Sequence, residues 1–210
     1  MLCRILLTAV IFLVPLTATA SRLDQTGATW KVYRDPINGF RLALPSDWNV
    51  VPNSDTQVNL VIQRLEAKHK VALAGIYQNI VRTTDVSHFV FEAFHFTPSA
   101  LIQPTFTLSV TRSSRILASP KGLASIASSE SKQLIRNEGL DLVEAKVVKL
   151  PAGNAAFIEG TEVVASTRSL LEIYVIGHEA RLYDLTFRTS AGTRDEEPIF
   201  LKVAHRIVLG

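Results

Sequence analysis

The groups able to do acid, base or metal chemistry in this chain are five histidines, nineteen carboxylates and one cysteine. His69 lies between Lys68 and Lys70, where like charge opposes both protonation and metal binding, and His178 falls on a turn beside Glu179; both read as solvated loop residues. His88 and His95 flank an aromatic run seven residues apart, which puts them on opposite faces of a regular strand, so a shared metal would need a bulge between them. His205 stands with Lys202 and Arg206 near a helix C-terminus, where cations suit the helix dipole. Among the carboxylates, Asp184 sits opposite Tyr183, Leu185 and Phe187, and Glu172 opposite Leu171, Ile173 and Val175. Both are expected to face solvent, without the burial that raises a carboxyl pKa. Asp141, Glu144 and Lys146 read as an outer strand face. The chain has no Gly-x-Ser-x-Gly elbow, Walker loop, dinucleotide fingerprint or His-Glu-x-x-His motif. No catalytic, cofactor-binding or metal-ligating residue is assigned, and the reading is of a protein that is not an enzyme.

The 210 residues are 47% hydrophobic and 20% charged, which excludes a disordered or collagen-like chain and fits a single domain. Residues 1–20 stand apart. One cation in Met1 to Arg4, an apolar run from Ile5 to Leu16 and an Ala-x-Ala pattern ending at Ala20 form a secretory signal peptide, cleaved near Ala20. The apolar run is shorter than a membrane-spanning helix needs and contains Pro15; an uncleaved anchor is the rival reading. Cys3 precedes the apolar run, so it is not a lipid attachment point. Cleavage removes Cys3 and Arg4, leaving no cysteine for disulfides, thiolate metal sites or nucleophilic chemistry, and lowering the net charge of +3 by one. The remaining basic residues are scattered, without the footprint of a nucleic-acid binder. The mature protein is expected to be secreted or periplasmic, with no transmembrane anchor.

Beyond a polar lead-in at 21–29, Trp30 to Tyr33 and Phe40 to Leu44 alternate like strands around Asp35-Pro36-Ile37-Asn38-Gly39, a hairpin turn, and Pro45 and Trp48 close the second strand. Val58 to Arg64 and Val71 to Tyr77 read as further strands. Phe89 to Phe96 is dense in aromatics on both parities and reads as a strand buried on both faces, an exposed adhesive face being the functional alternative. Thr105 to Arg112 alternates cleanly, with Phe106, Leu108 and Val110 inward. Ser119-Pro120 and Gly139 cap a helix over 119–138. Four alternating runs follow, Leu142 to Leu150, Ala155 to Val163, Leu170 to Ile176 and Arg181 to Thr189, an antiparallel meander. A second helix over 195–208, with Asp195 as N-cap, carries Phe200, Val203, Ala204 and Ile207 on its apolar stripe. Such a series of elements gives an α+β fold with helices on the faces of a mainly antiparallel sheet.

The pattern Tyr33-x-Asp35-x-x-x-Gly39-Phe40-x-x-x-x-Pro45-x-x-Trp48 resembles the opening hairpin of PsbP-like proteins. That fold is shared by the extrinsic PsbP subunit of photosystem II, a Ran-binding nuclear import factor and DcrB-type bacterial envelope proteins. Leu150-Pro151-Ala152-Gly153-Asn154-Ala155-Ala156, the hairpin around Gly177 to Arg181 and Tyr183-x-Leu185-Thr186-Phe187 extend the resemblance over residues 30–208. Two departures stand out: His205-Arg206-Ile207-Val208, where relatives often carry a Ser-Phe pair, and a long segment from Thr84 to Gln103. The resemblance implies an α/β/α sandwich and an adaptor role without catalysis, manganese or photosystem contacts not being implied. The expectation is an accessory module that binds an envelope protein partner. The alternative is a carrier for a small apolar ligand with the aromatic run as pocket wall, and the third reading a hydrolase with an unrecognised site. Phe89, Phe91, Phe94 and Phe96 are the candidate surface, about half of this run being expected to serve the core instead.

Overall fold

Asp35 builds the first turn by accepting hydrogen bonds from the backbone N–H groups of Ile37 and Asn38 and from the Asn38 side-chain amide. The computed structural model describes residues 19–23, 29–83, 89–98, 100–114, 118–164, 166–191 and 197–210. On either side of the turn, β2 (Thr29–Asp35) and β3 (Phe40–Pro45) pair antiparallel, as the hairpin reading expects. Gly39 adopts φ +69°, and a Cβ there would lie 2.7 Å from the Gly210 carbonyl oxygen, so this position has room for glycine alone. Two short strands complete a four-stranded sheet: β1 (Thr19–Leu23) beside β2, and β11 (Val208–Leu209) beside β3. The segment read as a polar lead-in thus opens in strand conformation at Ser21–Leu23. Residues 1–18 of the expected leader lie outside the described residues.

After Pro45 the chain changes sheets. Trp48 opens β4 (Trp48–Val51), the edge of a seven-stranded antiparallel sheet of order β4-β5-β6-β10-β9-β8-β7. Its other strands are β5 (Phe91–His95), β6 (Thr105–Arg112), β7 (Asp141–Leu150), β8 (Gly153–Val164), β9 (Thr167–His178) and β10 (Arg181–Ser190). The four-run meander and the alternating strand at 105–112 are where the sequence pattern puts them, with Phe106 opposite Phe187 and Leu108 opposite Leu185.

Two of the expected strands are helices. Val58 to Arg64 lies in α1 (Asp55–Ala67) and Val71 to Tyr77 in α2 (Val71–Thr83). A strand would bury Val58, Leu60 and Ile62 together, whereas Leu60 is 46% exposed and the buried pair, Val58 and Ile62, is spaced by four. In α2 the buried residues Ala74, Tyr77 and Ile80 recur every three. These side chains enclose Val51 and Phe94 in a cluster of their own. By contrast α3 (Pro120–Glu138) has the expected caps: the Ser119 hydroxyl accepts from the Gly122 N–H at 3.2 Å, and Gly139 closes the helix at φ +68°. The last helix, α4 (Glu197–His205), is shorter than 195–208 because Val208 and Leu209 extend to pair with Arg41 and Phe40. The proposed Asp195 cap lies outside the described residues.

The fold is α+β with a mainly antiparallel sheet, and the described residues form four helices where two main ones were expected. On one face of the large sheet α3 buries Leu123, Ala127 and Leu134 against Ile158, Leu171, Ile173 and Val175, and α1 and α2 cover β4 and β5. The other face is covered by the four-stranded sheet together with α4. Trp30, Leu42, Leu44, Phe106, Leu185, Phe187, Phe200 and Val203 form the main core there, and Phe40 and Trp48 are buried in it as their hairpin positions imply.

Candidate ligand-binding groove

The alternation of β6 and β10 commits Phe106, Leu108, Tyr183, Leu185 and Phe187 to the main core, so Thr105, Thr107, Asp184, Thr186 and Arg188 point to the helical face. The described helices leave most of this strip uncovered: α1 and α2 pack over β4 and β5, and α3 rests on β7, β8 and β9 and reaches β10 at Leu182. A groove of about 950 Å³ runs between the helix layers with the polar strip as its floor. Ile76, Asn79 and Ile80 of α2 form one wall, Glu130, Leu134 and Glu138 of α3 the other. The rim is pinned. Gln103 donates to the Thr97 and Ala100 carbonyls and accepts from the Thr97 N–H, while the Ser190 hydroxyl bonds Ile102 at the end of β10. Leu101, between these anchors, is left 83% exposed at the rim.

Glu92 projects into this groove from β5, opposite Thr107, which is in turn opposite Thr186. It is only 8% exposed, and its Oε2 has no hydrogen-bond partner among the described residues. Burial pushes its carboxyl up to about 7. On the same floor, burial raises Asp184 to about 6, the Glu130 charge adding to the effect and the Thr186 hydroxyl, which donates to Oδ1 at 3.1 Å, opposing it. Arg188 Nε donates to Glu162 Oε1 at 2.6 Å, so its charge is already matched.

Asp184 and Glu172 therefore do not face open solvent as expected. Glu172 lies opposite Leu171 and Ile173 as its parity requires, but β9 is covered on both faces. Glu172 is 6% exposed, and the Tyr174 hydroxyl donates to it at 3.1 Å. Burial, followed by the Glu172 charge, raises the Tyr174 phenol.

The aromatic run divides between layers. Phe91 is core, in edge contact with Tyr33 at 5.2 Å, and Phe94 is core on the other face, in edge contact with Tyr77 at 5.1 Å. Both are buried, so neither presents an exposed adhesive face, although Phe94 also borders the groove; β5 is buried on both faces. Phe89 is half-buried and lines the groove, and Phe96 is half-buried against the α1–α2 cluster. Residues 84–88 and 99 of the surrounding segment lie outside the described residues. The sequence reading missed Glu92, although a lone carboxylate in a strand apolar on both parities is the signal that points to it. The histidines stay apart: His69 is exposed at φ +55°, His205 Nδ1 is 2.8 Å from the Leu201 carbonyl, His95 is 3.4 Å from Asp47, and His88 is not among the described residues. Among the described residues no three His, Cys, Asp or Glu side chains are grouped to hold a metal ion.

No protein-family model and no curated protein matches the sequence. Solved structures do. Cyanobacterial PsbP (CyanoP) from Synechocystis sp. PCC 6803 aligns with a TM-score of 0.53 over 87% of this chain and 94% of that one, at 10% identity. The fold is PsbP-like. LpqN of Mycobacterium tuberculosis, a protein involved in cell envelope biogenesis, aligns at 14% identity with a TM-score of 0.48, over 83% of this chain and 86% of that one. In this PsbP-like frame the groove occupies the helical face, and the Asp35 turn and β11 occupy the opposite layer, so turn and groove are separate features of one scaffold.

Proposed function

We propose that the protein is an exported, non-catalytic binding module, and that its site is the groove between α2 and α3, which takes a small, largely apolar molecule. One observation carries this: a recess of about 950 Å³, walled by Ile76, Ile80, Phe89 and Leu134, in which a few polar groups converge on the floor. That volume is at the upper end for small-molecule sites. A bound ligand at a hundred times its Kd adds about 2.7 kcal/mol to stability. Thermal-shift screening with medium-chain alcohols should therefore raise the Tm of the protein and leave a groove-filling Thr107→Trp variant unmoved; equal shifts in both would place binding elsewhere. Capture of an envelope protein is the second reading, favoured by Leu101 standing exposed at the rim, where a partner's side chain could enter the recess.

Export is supported by the tripartite leader, and none of the described helices is long and apolar enough to cross a membrane. Intact-mass analysis of protein recovered from the cell envelope should give a chain beginning at Ser21, which keeps the pairing of Arg22 with Trp30 in β1. A retained Met1 would count against it.

A further inference from the structure

Glu92 sets a chemical demand that the described residues do not meet. A carboxylate that is more than nine-tenths buried and has an oxygen without a donor carries an uncompensated desolvation cost. The described groove lining holds four carboxyls, Glu92, Glu130, Glu138 and Asp184, and a single cation, Arg188, which Glu162 already engages at 2.6 Å. The other polar side chains of the described lining are neutral: Asn79 from α2, Gln103 before β6, Thr105 and Thr107 from β6, Thr167 from β9 and Thr186 from β10. An anionic guest would meet four like charges, and an alkane or alcohol would leave the buried carboxylate without a counter-charge.

We propose that the molecule accepted by the groove carries a positively charged nitrogen, an alkylammonium or similar organic amine, which pairs with the Glu92 carboxylate while its apolar part lies along Ile76, Phe89 and Ile102. The inference rests on the groove being a small-molecule site and adds the charge of its occupant. In a recess of low dielectric such a pair is far stronger than in water. It also makes binding depend on pH, since only the ionised carboxyl attracts the amine. With Glu92 titrating near 7 and Asp184 near 6, lowering the pH from 8 to 6 weakens amine binding by about tenfold.

Calorimetric titration of the purified protein with octylamine, 1-octanol and octanoate, at pH 8 and pH 6, tests this directly. Octylamine should bind at least tenfold more tightly than 1-octanol at pH 8, lose about tenfold at pH 6, and lose its advantage in Glu92→Gln, which should still bind 1-octanol. Asp184→Asn should keep most of the preference. Equal affinities for octylamine and 1-octanol at pH 8, or a preference for octanoate, would overturn the charge assignment while leaving the groove a ligand site. Failure of all three to bind would overturn both.

Discussion

Phe187→Ala is expected to cost about 4 kcal/mol or more and to leave little folded protein at 37 °C. Phe187 is fully buried on β10, its ring stacked 4.9 Å from Phe106 on one side and 4.9 Å from Phe200 on the other, with Tyr174 edge-on at 6.0 Å. One side chain thus joins the large sheet to α4. Truncating a buried Phe costs about 3 to 5 kcal/mol, and aromatic pairs are worth about 0.5 to 1.5 kcal/mol beyond their area, so the upper part of the range applies. Against a total stability of about 5 to 15 kcal/mol this is severe. Urea melts monitored by tryptophan fluorescence would measure it, and a loss under about 1 kcal/mol would mean that the core is not centred on this stack.

Glu92→Gln should act in the opposite direction, and only at neutral to alkaline pH. The carboxyl titrates at 4.5 when exposed and near 7 in the fold. Below pH 4.5 it is protonated in both states and costs nothing; above pH 7 the fold must hold it ionised and buried. Stability from this group is therefore lost as pH rises from about 4.5 to 7, by about 3 kcal/mol in all. Glutamine does not titrate, so the variant should be more stable than the parent by up to about that amount at pH 8 and nearly equal to it at pH 4.5. Asp184, titrating near 6, keeps a slope of the same sign at lower pH in both proteins. Denaturant midpoints at pH 5 and pH 8 decide the matter: parallel slopes in parent and variant would show that Glu92 is not the group responsible.

The sequence disclosed the elements whose signals are local. The caps of α3 lie within a few residues of the helix they end, and the alternation of Thr105 to Arg112 is strict because one face of β6 is core and the other is groove floor. Val58 to Arg64 misled because Leu60 fills a position that satisfies a strand pattern, while only tertiary contacts reveal that it is exposed. Val71 to Tyr77 is apolar enough to fit either period. The groove was not legible at all. It exists because α1 and α2 cover β4 and β5 while α3 covers β7 to β9 and only the Leu182 end of β10, a lateral placement that no single segment encodes, and because β6 and β10, far apart in the chain, are neighbours in the sheet. Glu172 was misjudged for a related reason: a strand's own alternation says which residues share a face but not whether that face is covered.

The same long-range pairings govern when the protein can fold. The β6 strand must wait for β10, which follows α3 and three intervening strands. The layer begun by Leu42 and Leu44 is finished only by Phe200, Val203, Ile207 and the β11 strand paired to β3. A topology rich in such distant contacts folds slowly, on the millisecond-to-second scale. During synthesis the main core stays open until residues 197–209 have left the ribosome. If the protein is exported as proposed, a translocation channel that admits only extended polypeptide would meet it in a state the channel can carry, the order of strands in the sheet itself delaying closure.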